Sequence, residues 1–259
     1  EGLTLRGRAL HRSGREEEAL RYLRKAVEQT PGSRAALLSL GLLLLSIHEY
    51  EEAVDVLERA VRAGSGVIGV DCLTALSKAC RRAGDRSRLR KILEEAVSRS
   101  PANLLAKVEL ARILLDCDMK EDARRLYRDA TTLSAGDNKG GILLAEAHLF
   151  CRSIEEASKL LRILRRKSPN STDVLFFDAL LQIIAGKRCS DSIAWQRLWR
   201  DAPSLPVERI KFLRSVLTPS EEIALKRDLA GMKRLFSSSR EIITEISLLE
   251  EALEKTGGS

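Results

Sequence analysis

Leu37-Leu38-Ser39-Leu40-Gly41, followed by Tyr50-Glu51-Glu52-Ala53 and then by Leu57 and Ala60, is the stretch that decides the fold of this chain. Its three small residues, Gly41, Ala53 and Ala60, stand twelve and then seven positions apart, with Leu44 and Leu57 as large neighbours. Upstream the same spacing gives Gly7, Ala19 and Ala26, closed five positions later by Pro31. Downstream it returns as Ser77, Leu89, Ala96 and Pro101, as Ala111, Ala123, Ala130 and Ala135, and as Ala145, Ala157, Leu164 and Pro169. A worn last copy has Ala179, Asp191, Leu198 and Pro203. The period is about 34 residues, and internal repetition outranks any local motif because it sets the whole architecture.

Each copy reads as two amphipathic helices. In the first, Leu3 to His11 and Glu16 to Glu28 flank Gly14, and Gly84 and Gly186 occupy the same place in the third and sixth copies. Glycine there suits a left-handed helix end. Ser100-Pro101 and Ser168-Pro169 then stop the second helix, since a residue before proline resists helical backbone. Small residues let two backbones cross closely, and Leu10, Leu23, Leu114 and Tyr127 fill the space beside them. Such a hairpin cannot bury its faces alone, whereas stacked copies can.

These residues resemble the tetratricopeptide repeat. The resemblance covers about residues 1–205 as six copies, near 1–33, 34–69, 70–103, 104–137, 138–171 and 172–205, with 206–259 as a C-terminal helical tail. It implies an all-α, right-handed superhelical solenoid of helix-turn-helix repeats with C-terminal capping helices. It also implies a concave groove, lined by the first helix of each repeat, that takes a partner peptide or amphipathic helix. By that resemblance the groove-facing residues are Leu38, Leu42 and Leu45, then Lys78 and Arg82, then Val108 and Arg112, then Ile142, Glu146 and Leu149, and finally Phe176, Phe177 and Leu180. The groove is thus apolar at both ends with a basic middle at Lys78, Arg82 and Arg112, which suits a segment with apolar anchors and some acid. Some relatives hold a C-terminal carboxylate with a fixed Lys, Arg and Asn set. The corresponding places here include Thr4, Arg8, Ser39, Asp71 and Ala75, so that set is largely missing. The competing reading of Phe176, Phe177 and Ile184 is that tail helices cover them, because an exposed apolar patch is a liability.

One spacing slips: the third copy starts 36 residues after the second, and the two extra residues lie in Gly64-Ser65-Gly66-Val67-Ile68-Gly69. That segment spells a dinucleotide-binding fingerprint, but the fingerprint needs a preceding strand. Here the Val54 to Arg62 pattern is helical, so a longer inter-repeat loop is expected and no cofactor. In the tail, Val207 to Leu217 reads as one helix. Thr218-Pro219-Ser220-Glu221 starts a second, and Ser238 with Glu241 resembles a capping box opening a third.

Composition agrees with a non-catalytic scaffold or adaptor. Of 259 residues 44% are hydrophobic, 31% charged and 4% aromatic, and no apolar run is long enough to span a membrane. No P-loop, HExxH or GxSxG is present, and His148 falls at a packing position. The net charge of +7 raises nucleic acid as an alternative partner. The regular polar positions of RNA-reading helical repeats are absent, however, which favours a protein partner. Self-assembly through the tail helices is a further alternative. The five cysteines form no CxxC pair and no zinc spacing, which points to a reducing, cytoplasmic setting. The chain starts at Glu1 rather than Met, which reads as a piece of a longer protein, and Gly257-Gly258-Ser259 reads as a frayed end.

Overall fold

The structure, a computed structural model, describes residues 1–63 and 70–255. The loop expected at Gly64–Gly69 and the frayed end at Gly257-Gly258-Ser259 lie outside the described residues. Among those described there is no strand, and along the chain the first twelve helices follow one another two to a copy in six copies. The pairs are α1 Gly2–Arg12 with α2 Glu16–Gln29, α3 Arg34–Ser46 with α4 Tyr50–Arg62, and α5 Val70–Ala83 with α6 Arg86–Arg99. They continue with α7 Leu104–Asp116 and α8 Lys120–Thr131, α9 Asn138–Phe150 and α10 Ile154–Lys167, and α11 Thr172–Ile184 and α12 Ile193–Asp201.

The turns and caps repeat as strictly as the helices. Among the described residues six have left-handed backbone: Gly14, His48, Gly84, Asp118, Arg152 and Gly186, at φ between 58° and 76°. Each follows the first helix of a pair. At each, the next residue donates its N–H back to a carbonyl five residues earlier, as from Arg15 to Leu10 and from Ser153 to His148, at 2.8–3.0 Å. That bond satisfies a carbonyl the helix end would leave orphaned. First helices also start in register. Ser33, Asn103, Asp137 and Ser171 each accept a hydrogen bond from the backbone N–H three residues on, at 2.7–3.4 Å. Such caps satisfy orphan donors and are worth about 1 kcal/mol each.

Between the helices of the first two pairs the small residue meets a large one. Leu23, Leu57, Leu93, Tyr127, Leu161 and Trp195 occupy one register position and are all fully buried. A Cβ built on Gly7 would lie 2.6 Å from Cγ of Leu23, and one built on Gly41 would collide with Leu57. The sixth copy departs from the pattern. Asp191, in the place of the second small residue, is exposed in a short 3₁₀ turn at Cys189–Asp191, and α12 has only 9 residues. Trp195 and Trp199 fill that shorter hairpin, and the Trp195 indole N–H donates to the Ala179 carbonyl at 3.0 Å.

The chain divides into two compact units, Glu1–Ile113 and Leu114–Ser259. In the first, α3 packs on α1, α2, α4 and α5, and α4 also packs on α5, so the first two pairs each stack on the next through both of their helices. In the second, α9 and α11 pack side by side, with α8 and α10 each packed on the following first helix. This is the stacking of a helical solenoid.

The second unit ends in four helices: α13 Leu205–Glu208, α14 Ile210–Val216, α15 Pro219–Leu235 and α16 Arg240–Glu254. The single helix expected over Val207–Leu217 is broken at Arg209, whose backbone turns to φ −102°, ψ 20°. The start at Thr218 is a full capping box: the Thr218 hydroxyl accepts from the Glu221 N–H, and the Glu221 carboxylate accepts from the Thr218 N–H at 2.8 Å. The box expected at Ser238 and Glu241 does not form. The last helix starts after Ser239, whose side chain makes no capping bond. Helix α15 packs on the 3₁₀ turn and on α11, and so caps the last hairpin. Helix α16 buries Ile246, Leu249 and Leu253 against its neighbours α13, α14 and α15.

Candidate functional site

The face offered by first helices differs between the two units. In the first, one register position carries Arg8, Leu42, Lys78 and Arg112, on α1, α3, α5 and α7. Leu42 is 45% exposed, although it is a leucine in the middle of a helix, and Leu38 and Leu45 beside it are half-buried. Leu5, on α1, is 63% exposed. The next first helix turns basic. Lys78, Arg81 and Arg82 are exposed, and among the described residues neither Lys78 nor Arg82 has an ion-pair partner. Arg81 is engaged with the buried carboxylate of Glu109, which Arg112 also grips at 2.7 Å. Val108, expected to face the groove, is fully buried and presents nothing.

In the second unit the corresponding residues are covered from within the unit. Glu146, Leu149, Phe176, Phe177 and Leu180 are fully buried, and Ile142 is half-buried. What lies on them is the start of the tail. Arg209, at the break between α13 and α14, reaches Glu146 at 3.4 Å and pairs with Asp173. Its guanidinium also sits 5.3 Å and 5.1 Å from the ring centres of Phe176 and Phe177. Phe212, one turn on, lies 5.9–6.4 Å from the rings of Tyr127, Phe150, Phe176 and Phe177. The Tyr127 hydroxyl donates to Glu146 at 2.8 Å, so that buried carboxylate has both a neutral and a charged donor. The reading in which tail helices cover Phe176 and Phe177 therefore holds for the face as folded, while Ile184 stays half-exposed.

The tail is fastened within that contact and on its C-terminal side. Lys211 donates to the Asp116 carbonyl at the end of α7. Arg152 makes two 3.0 Å bonds to Glu221 and a third, at 3.2 Å, to the Val216 carbonyl. Burial alone would raise the Glu221 carboxyl; the Arg152 bonds and the Thr218 amide outweigh it and hold the group below the usual range. Arg209 and Phe212 carry no local sequence signal as partners of the groove residues. They meet those residues across up to 63 positions, and no local period records such a contact.

Elsewhere the titratable groups read as packed ones. Burial pushes the Cys80 thiol up to about 11 and also raises Cys189. Burial lowers His148 against the pull of Glu156. Among the described residues no three His, Cys, Asp or Glu side chains are grouped to hold a metal ion, and no helix is long and apolar enough to cross a membrane.

Comparison with known proteins agrees with this geometry. Residues 4–68 match the family model described as tetratricopeptide repeat. No curated protein matches the chain in sequence. Among solved structures it is similar to a tetratricopeptide repeat protein from Parabacteroides merdae, at 14% identity over 96% of this chain and 98% of that one, with a TM-score of 0.52. It is also similar to PilF of Pseudomonas aeruginosa, at 16% identity over 93% of each chain, with a TM-score of 0.51. At these identities the likeness concerns the fold alone. Tetratricopeptide repeats commonly mediate protein–protein interaction and are generally non-catalytic.

Proposed function

We propose, for a chain that carries tetratricopeptide repeats, that it is a non-catalytic adaptor whose first unit binds a protein segment on the face of its first helices. The observation that carries this reading is the exposed leucine patch of α3 beside two unpaired cations of α5. Leu42 stands out of a helix whose other leucines are buried or half-buried, and Lys78 and Arg82 have no partner among the described residues. A segment with one or two apolar anchors and a nearby Asp or Glu answers both features: it dries the leucine and neutralises the lysine or arginine. Ser39, Asp71 and Ala75 stand where a carboxylate-clamping set would place its polar residues, so the anchor is apolar rather than a chain-terminal carboxylate.

A random-peptide library selected on the full chain tests this reading. Enriched peptides carry an apolar residue flanked by acid, and a Leu42→Asp, Lys78→Glu variant with unchanged helicity fails to retain them. Enrichment that is indifferent to those substitutions moves the site elsewhere.

A further inference from the structure

We infer that the first helices of the fifth and sixth repeats form a peptide site of their own, one that takes a helical segment with an arginine and, three residues later, an aromatic residue. In this chain that site is filled in cis by Leu205–Leu217.

Four observations converge on this. Of the receiving groups, Glu146, Phe150, Asp173, Phe176 and Phe177 lie on α9 and α11, the face of first helices that in the first unit stays open, and Tyr127 of α8 adds a further ring beside Phe212. The contact is built like a ligand pocket rather than a uniform core seam. One guanidinium is shared by two carboxylates and stacked over two rings, and one phenylalanine enters an aromatic box. Bidentate and stacked recognition of this kind is what arginine offers and lysine does not. The filling segment is also locally weak. Helices α13 and α14 have 4 and 7 residues, well short of what an isolated helix needs. Finally, the polar fastening at its C-terminal end is separable from the pocket: Arg152, 39% exposed, pairs with Glu221 and donates to the Val216 carbonyl. The segment also buries Leu213 and Val216 and carries α16 on its outer side, so it opens together with that last helix; two helices this short open at lower free energy than the long helices beneath them. When it lifts away, it leaves an acidic, aromatic cleft that a competing segment of the same chemistry fits. This inference concerns the second unit and does not depend on the leucine face of the first.

The test uses the full chain and a fluorescein-labelled synthetic peptide of residues 203–218. Wild-type protein, its pocket filled, binds the peptide weakly. The Arg209→Ala, Phe212→Ala protein binds it at least tenfold more tightly. That gain disappears when Glu146→Gln and Asp173→Asn are added, or when the peptide itself carries alanine for its Arg and Phe. A folded Arg209→Ala, Phe212→Ala protein that does not take the peptide overturns the proposal, and so does equal affinity in wild type and variant. Hydrogen exchange of the unaltered protein gives an independent reading should that variant not fold. Amides of α13 and α14 are expected to exchange at least tenfold faster than those of α9 and α11. Exchange of all four helices together would show that the segment is an inseparable part of the core and would overturn the proposal.

Discussion

Glycine at 14, 84 and 186 answers a backbone demand that His48, Asp118 and Arg152 meet at a cost. All six turn left-handed after a first helix, where an L side chain crowds the following carbonyl. Space around Gly14 is open, so a methyl group there meets nothing and only the dihedral penalty remains. Gly14→Ala should therefore destabilise by about 1 kcal/mol, and Asp118→Gly should stabilise by a similar or smaller amount. Urea midpoints at unchanged slope would measure both, and a Gly14→Ala protein of wild-type stability would remove the argument. Glu221 carries the pH dependence. Its folded pKa is depressed, so its contribution is present above the unfolded carboxyl value and is lost as pH falls through the folded one. Glu221→Gln should cost about 1–2 kcal/mol near neutral pH through the lost cap and charge-assisted bonds. The difference from wild type should shrink as the pH falls below the unfolded carboxyl value and on through the depressed folded one, where the native carboxyl is itself protonated.

At the scale of elements, close crossing is the quantity that the sequence encodes most directly. Gly41 packs against Leu57 with no room for a methyl group, whereas Gly136 has nothing within 4 Å. Gly41→Ala should cost about 1–3 kcal/mol by overpacking, and Gly136→Ala should cost little. Thermal melts of the two variants side by side would decide it, and equal losses would mean that the small-residue position is not a crossing point. This is also why the repeats were legible. Each crossing fixes a small residue, a large one 16 positions on, and a helix start, so the first helices α3, α5, α7, α9 and α11 begin at 34, 70, 104, 138 and 172. The tail has no such period to follow. The apolar stripe of Ile210, Leu213 and Leu217 reads equally well as one helix or as two, and the break at Arg209 is set by its distant partners Glu146 and Asp173. Ser238 fails as a cap for a related reason: the chain enters the last helix one residue later, at Ser239, so the register of the motif is missed.

At the scale of the molecule, repeats with the same local geometry present unlike surfaces. On the first unit the row Arg8, Leu42, Lys78 is open. On the second the equivalent Glu146 and Leu180 are buried within the unit. From sequence, Leu42, Lys78, Glu146 and Leu180 read as lining one groove, because position within a repeat says where a side chain points and not what else covers it. Under the proposed function, partner binding belongs to the open leucine and lysine face. Calorimetric titration of a library-selected peptide into wild type and Leu42→Asp tests it most directly. Losing a buried leucine contact worth about 1.5–3 kcal/mol predicts affinity lower by about tenfold or more, with the circular dichroism unchanged. Affinity unaltered by Leu42→Asp would contradict the account.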